Sequence, residues 1–228
     1  MVVGIQDRFG ADSILLGTAT IISDSTRYFL ATASHVTNEV RGDCNLVFRG
    51  QNDTPVFVPL KQFLGQKLVK WINHYEADIS IIELIPFDEP SKERLTKWSF
   101  PFSQIMDSKQ AIIREVNVIT IGFPVITKIR QHFSPLTFNS FFSSGLITLD
   151  RADTKKPSIF QLLENPSVQG YSGGPVLIGI SRPGATLGPS HTVFVGMVHG
   201  TFNDNTGGKL AMITPAFYLS EMIKNYKS

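Results

Sequence analysis

Short runs rich in Val, Ile, Thr and Phe recur from Leu15 to Thr214, each closed by turn residues. Between them no helical pattern of roughly 10–15 residues, the length a βαβ crossover requires, shows itself. Eleven such runs stand out. They include Leu15–Ser23, Arg27–Ala33, Asn45–Arg49, Pro55–Leu60, Asp78–Leu84, Asn117–Phe123, Ser143–Leu149, Ser158–Leu163, Pro175–Ile180, Thr192–His199 and Lys209–Thr214. Clusters such as Ser23-Asp24-Ser25 and Gly50-Gln51-Asn52-Asp53 separate them, as tight turns require. The pattern predicts an all-β chain, a sandwich or a barrel. The exception is the end of the chain. After Pro215, Tyr218, Met222 and Tyr226 repeat at four-residue spacing, as do Leu219 and Ile223, which predicts a terminal helix.

With 228 residues and a 42% hydrophobic fraction, the chain can bury a sizeable core without staples. A polar, Pro-bearing stretch, Phe87–Ser103, lacks strand alternation and is the expected break between residues 1–100 and 101–228. The formal net charge of +2 and the lack of any Lys/Arg run give no footprint for nucleic acid, which is not an expected partner. Cys44 stands alone, so neither an intramolecular disulfide nor a multi-cysteine zinc site can form. No apolar run approaches the roughly 18–20 residues of a membrane span. The N-terminus carries no charged leader before an apolar core. The expected location is cytoplasmic, with no membrane partner.

Three segments carry chemistry. The first runs from Gly17 to Val36 and ends Ala31-Thr32-Ala33-Ser34-His35-Val36. The second is Glu76-Ala77-Asp78-Ile79-Ser80-Ile81-Ile82, and the third Gly170-Tyr171-Ser172-Gly173-Gly174-Pro175-Val176. Together they supply a His, an Asp and a Ser in that order. A serine hydroxyl needs a base to become a nucleophile, and that base needs a carboxylate to fix its tautomer. The carbonyl under attack needs backbone N–H donors. Glycines on either side of Ser172 allow the tight turn that presents such donors, Gly170 and Ser172 being the candidates.

At these residues the chain resembles the chymotrypsin-like serine proteases. Val118-Ile119-Thr120-Ile121-Gly122-Phe123-Pro124, Ser144-Gly145-Leu146-Ile147 and Val195-Gly196-Met197-Val198-His199-Gly200 favour its disulfide-free branch, which holds the Htr-type proteases and the glutamyl endopeptidases. The resemblance implies two packed antiparallel β-barrels with a terminal helix. The first barrel would carry His35 and Asp78, the second Ser172. It implies a serine endopeptidase acting on a peptide or protein through an acyl-enzyme, with no metal or organic cofactor; no PDZ domain is expected to follow it. A regulatory partner is a further expectation, because activation by N-terminal cleavage is not: Tyr171 stands where many secreted members place Asp. The pocket walls would be Pro166, Ser167, Val198, His199, Gly200 and Thr201. None is acidic, so Arg and Lys side chains are disfavoured unless Asp204 reaches in. Small or apolar side chains come first, and Glu or Gln second if His199 turns inward.

Other readings stay open. The chain can be a catalytically silent or partner-activated binding module on the same scaffold. Gly170-Tyr171-Ser172-Gly173-Gly174 also satisfies the Gly-x-Ser-x-Gly elbow of α/β-hydrolase esterases. His74 and Glu76 rival Asp78. His199 serves either as pocket wall or in a structural role. The Phe-rich stretch 123–142 is second-barrel core or a loop closing on the cleft. Cys44 reads as a packed small hydrophobe.

Overall fold

The computed structural model describes residues 1–7, 13–65, 68–125, 132–151, 153–165, 167–179, 192–204 and 206–227. Pro166, one of the expected pocket residues, lies outside them, as do residues 126–131.

Two antiparallel sheets organise the chain. The first contains β1 (Val2–Gln6), β2 (Leu15–Asp24), β3 (Arg27–Thr32), β4 (Asn45–Arg49), β5 (Pro55–Pro59), β6 (Ile72–Asn73), β7 (Ser80–Leu84) and β8 (Phe100–Pro101). Its order is β5-β4-β1-β2-β3-β7-β6, with β8 parallel to β2. The second contains β9 (Asn117–Gly122), β10 (Leu136–Phe141), β11 (Ile147–Asp150), β12 (Pro157–Leu163), β13 (Pro175–Gly179), β14 (Thr192–Asn203) and β15 (Lys209–Pro215), in the order β10-β9-β13-β14-β15-β12-β11. This is a double β-barrel. Apart from the two-residue β8 every strand pairing is antiparallel, so the elbow reading, which needs parallel βαβ units, falls away.

Side-chain alternation explains the layering. Along β2, Ala19 and Ile21 face the first sheet's own core with Ile5, Leu30, Leu46 and Phe48. Ile22 points the other way, into a cluster shared between the sheets with Phe29, Ile81, Leu177, Phe194 and Met197. Because both faces are buried, β2 shows no alternation of apolar and charged residues, and no charge appears in it before Asp24.

Three helices complete the fold: α1 (Ser34–Thr37), α2 (Glu89–Trp98) and α3 (Ala216–Lys224). The terminal helix α3 closes the shared cluster with Phe217, Leu219 and Ile223. Helix α2 lies within Phe87–Ser103, where the sequence shows a lack of strand alternation but no helix. Asp88 caps it through the Ser91 amide at 2.8 Å, and Ser91 returns the bond to the Asp88 amide. Of its apolar side chains only Leu95 is buried, so it has no hydrophobic period to betray it. In the Phe-rich stretch, Phe123 and Phe133 meet edge-on at 5.1 Å and pack with Leu15 and Val47 of the first sheet. Phe138 and Phe141 are half-exposed on β10.

Candidate active site

The single turn α1 delivers His35. It is tied to the neighbouring strand where the Ser80 hydroxyl donates to Ser34 Oγ at 2.9 Å. Asp78 precedes β7 at the end of a tight loop. His74 shapes that loop, its Nδ1 accepting from the Glu76 and Ala77 amides at 3.1 and 2.9 Å. Glu76 accepts from the Tyr218 hydroxyl at 2.5 Å. The two rivals of Asp78 thus build its loop.

Asp78 is fully buried and grips His35 at two points. The His35 amide donates to Oδ1 at 3.1 Å and the ring Nδ1 to Oδ2 at 2.7 Å. Burial alone would raise the Asp78 carboxyl. Hydrogen bonds from His199 and His35, and the charge those rings can carry, outweigh it and hold the carboxyl well below its ordinary value. Burial works against a charged His35 too, but the hydrogen bond and the negative charge of Asp78 prevail and raise it.

Ser172 arrives from the second barrel on a turn with two left-handed glycines, Gly170 at φ +99° and Gly173 at φ +85°. A Cβ on Gly173 would stand 2.1 Å from both Thr18 O and Thr32 Oγ1, so no other residue fits there. Thr18 of β2 clamps the turn. Its hydroxyl donates to Gly170 O at 2.7 Å and accepts from the Phe123 amide at 2.9 Å, and its amide donates to Ser172 O at 3.0 Å. The amides of Gly170 and Ser172 have no acceptor among the described residues.

His199 is where the structure departs from expectation. In β14, Val198 pairs with Ile213 and Gly200 with Met212, leaving His199 as the extra residue of a β-bulge. The bulge turns its buried ring away from the pocket. Nδ1 meets Asp78 Oδ2 at 2.5 Å, and the ring stands edge-on to His35 with centroids 5.5 Å apart. Its unpaired carbonyl accepts the Ser172 hydroxyl at 3.0 Å. Of the expected pocket walls, Ser167 and Val198 line a cavity of about 10 Å³ together with Tyr171, Phe138 and Leu163, and no lining side chain is charged. Thr201 Oγ1 donates to Ser167 O at 3.0 Å, and the space beside Gly200 is open. Asp204 does not reach in: its Oδ1 accepts from Thr206 N, Thr206 Oγ1 and Gly208 N. A larger cavity of about 600 Å³ opens near Trp98, Phe100 and Phe133 and touches none of these residues.

Sequence reasoning also passed over Arg151, which donates to Asp78 Oδ1 at 3.3 Å from the turn after β11. No motif marks it. His35, Asp78 and His199 offer metal-type donor atoms within 4.8 Å of one another. The two N···O separations on Asp78 Oδ2 are those of shared protons. A zinc ion, bonded at about 2.0–2.1 Å to each donor, would hold them farther apart.

No family model matches the sequence, and no curated protein matches it either. Solved structures do. An inactivated protease paralogue of the scabies mite superposes with a TM-score of 0.59 at 14% identity, over 98% of this chain and 92% of that one. The Rv3671c protease of M. tuberculosis, in its inactive form, gives 0.58 at 14% identity, over 100% and 89%. The fold is chymotrypsin-like. The HtrA-type protease AlgW shares this chymotrypsin-like fold, with a TM-score of 0.57 at 13% identity, over 99% of this chain and 64% of AlgW. Serine proteases thus surround the chain structurally, and one of these neighbours is an inactivated paralogue.

Proposed function

We propose that the chain is a serine endopeptidase. The observation that carries this reading is the two-point grip of Asp78 on His35, beside a serine whose turn presents two unengaged amides. The Ser172 hydroxyl swings from the His199 carbonyl to His35 Nε2 and gives up its proton as Oγ bonds to the scissile carbonyl carbon. The carbonyl oxygen takes the negative charge and is held by the Gly170 and Ser172 N–H groups. Asp78 stabilises the imidazolium and keeps the proton on Nδ1. His35 then protonates the departing amine, leaving an acyl-enzyme. Water, deprotonated by the same ring, releases the acid and restores Ser172.

The uncharged lining at Ser167 and Val198 supports small or apolar side chains before the scissile bond, since a buried cation without a partner is costly. Placing His199 on Asp78 removes the support for Glu and Gln as second choice.

A fluorophosphonate probe tests the main reading, because it needs an activated serine and no knowledge of substrate. The isolated chain should label at Ser172, and Ser172→Ala should abolish labelling without lowering stability. One observation favours a second reading, a silent or partner-gated module: the Ser172 hydroxyl rests on the His199 carbonyl. No labelling of the intact, folded chain would select that reading.

A further inference from the structure

Asp78 has a second barrel's worth of partners, and one of them is a buried cation. Arg151 is 5% exposed, in the turn between β11 and β12. A guanidinium carries five N–H donors, and here each finds an acceptor. Nη1 donates to the carbonyls of Glu76 and Ala77 at 3.1 and 2.9 Å. Nη2 donates to Asp78 Oδ1 at 3.3 Å and to Asp153 Oδ2 at 2.6 Å, and Nε to Asp153 Oδ1 at 2.9 Å. The fork on Asp153 is bidentate, which fixes the plane of the guanidinium. The two carbonyls belong to the residues immediately before Asp78. The second barrel thus holds both the carboxylate and the loop that delivers it.

We propose that Arg151, oriented by Asp153, is a positioning residue that fixes Asp78 and sets the basicity of His35 through it. The inference deepens the proteolytic reading, and only its kinetic readout rests on that reading. Four groups face the His35 ring: Asp78 from the loop before β7, His199 from the bulge in β14, and Arg151 and Asp153 from the β11–β12 turn. Among them Arg151 is a fixed positive charge, and Asp153 is the anion that holds it. A positive charge behind Asp78 draws electron density from the carboxylate and weakens its pull on the His35 proton. An anion in the same place does the reverse. The directions for His35 agree, Asp153 raising it and Arg151 lowering it.

The two charges therefore predict shifts of opposite sign. The titration of His35 is followed by nitrogen-15 NMR of the imidazoles in the full chain, with the His35 signal assigned from His35→Gln. Arg151→Met should move the His35 midpoint to higher pH, and Asp153→Asn should move it to lower pH. Where fluorophosphonate labelling shows an active serine, Arg151→Met should also reduce kcat on a peptide substrate about tenfold to a hundredfold with KM nearly unchanged. Arg151→Lys, which keeps the charge without the fork, should leave the midpoint close to wild type. Shifts of the same sign in Arg151→Met and Asp153→Asn, or no shift in either folded variant, would overturn the proposal. If Arg151→Met is unfolded, the Asp153→Asn shift to lower pH decides alone. A chain that never labels but shows the opposed shifts keeps this inference and loses the proteolytic one.

Discussion

Thr18→Val is the sharpest test of how the first barrel controls the nucleophile's turn. Thr18 is fully buried, and valine keeps its shape while replacing the hydroxyl by a methyl group. The substitution deletes the bonds from Thr18 Oγ1 to Gly170 O and from Phe123 N to Thr18 Oγ1, at 2.7 and 2.9 Å. Both backbone groups lose their partner. Each orphaned buried group costs about 1–3 kcal/mol, so the pair should cost about 2–6 kcal/mol. At about 2–4 °C per kcal/mol for a chain of this size, Tm should fall by about 10 °C. Gly170 O is also what holds the left-handed glycine beside Ser172, so labelling by the fluorophosphonate should slow well below wild type at a temperature where the variant is folded. Thermal unfolding followed by circular dichroism and timed labelling measure the two effects separately. Thr18→Ser, which restores the hydroxyl, should recover most of both. A Thr18→Val protein within about 2 °C of wild type would show that these bonds do not carry the energy assigned to them. Labelling at the wild-type rate would show that the clamp does not govern the turn.

Two further outcomes follow from the same geometry. His199→Ala removes a buried hydrogen bond to a carboxylate, a loss of about 1.5–3 kcal/mol. It should lower turnover about tenfold to a hundredfold alike on substrates with Ala, Leu, Glu or Gln before the scissile bond, whereas a selective loss on Glu and Gln would place the ring in the pocket after all. Because Asp78 raises His35 above the ordinary value and only the neutral ring accepts the serine proton, the acid limb of kcat/KM should lie above about pH 6.5. The stability signs oppose each other. The raised His35 contributes stability that is complete below its unfolded value and is lost as pH rises through its folded value. The depressed Asp78 contributes stability present above its unfolded value and lost as pH falls. A limb at or below pH 6.5 would refute the Asp78–His35 coupling.

The sheets were legible because both faces of the central strands are buried, so composition alone marked them. The run Asn45–Arg49 matches β4 end to end. What escaped lacks that signature. β1 lies at the chain terminus, where no turn brackets it on both sides. The two-residue strands β6 and β8 are too short for any period. Helix α2 is announced only by Asp88 and Pro90, a cap without an apolar stripe behind it. In the site, the residue types and chain order pointed to His35, Asp78 and Ser172, but the partners of Asp78 did not. Arg151 lies 73 residues from Asp78 and His199 lies 121 residues from it. Nothing local distinguishes a buried guanidinium with five acceptors from the other basic side chains. The His199 bulge did leave a trace, a Gly-Met-Val-His-Gly spacing one residue longer than Gly-x-His. The extra residue is what the bulge absorbs, and absorbing it turns the ring away from the pocket.

Tyr171 shows how the nucleophile's turn is held where many secreted proteases of this fold place an aspartate. An aspartate there would need a buried cation, and a buried ion pair is a poor source of net stability. Here the side chain is an aromatic wedge, 1% exposed and stacked on Phe138 with centroids 5.4 Å apart. Gly122 makes room for it, since a Cβ there would come within 2.7 Å of the ring. The phenol has no hydrogen-bond partner among the described residues, and burial pushes it up to about 12, so it stays neutral at any physiological pH. With Thr18 on the other side, the turn is fixed from the first barrel by hydrogen bonds, and within the second by packing and by the Gly173 amide on Val198 O and the Val198 amide on Gly174 O, each at 2.9 Å. Neither set of contacts requires a charged group to arrive from elsewhere. The charge that the site does carry is gathered on the opposite flank, at Asp78, where His35, His199 and Arg151 share it. The two flanks meet at His199, whose ring bonds Asp78 and whose carbonyl accepts the Ser172 hydroxyl. Substitutions at Thr18 and Arg151, which share no hydrogen-bond partner, should therefore act additively, whereas a change at His199 should reach both flanks.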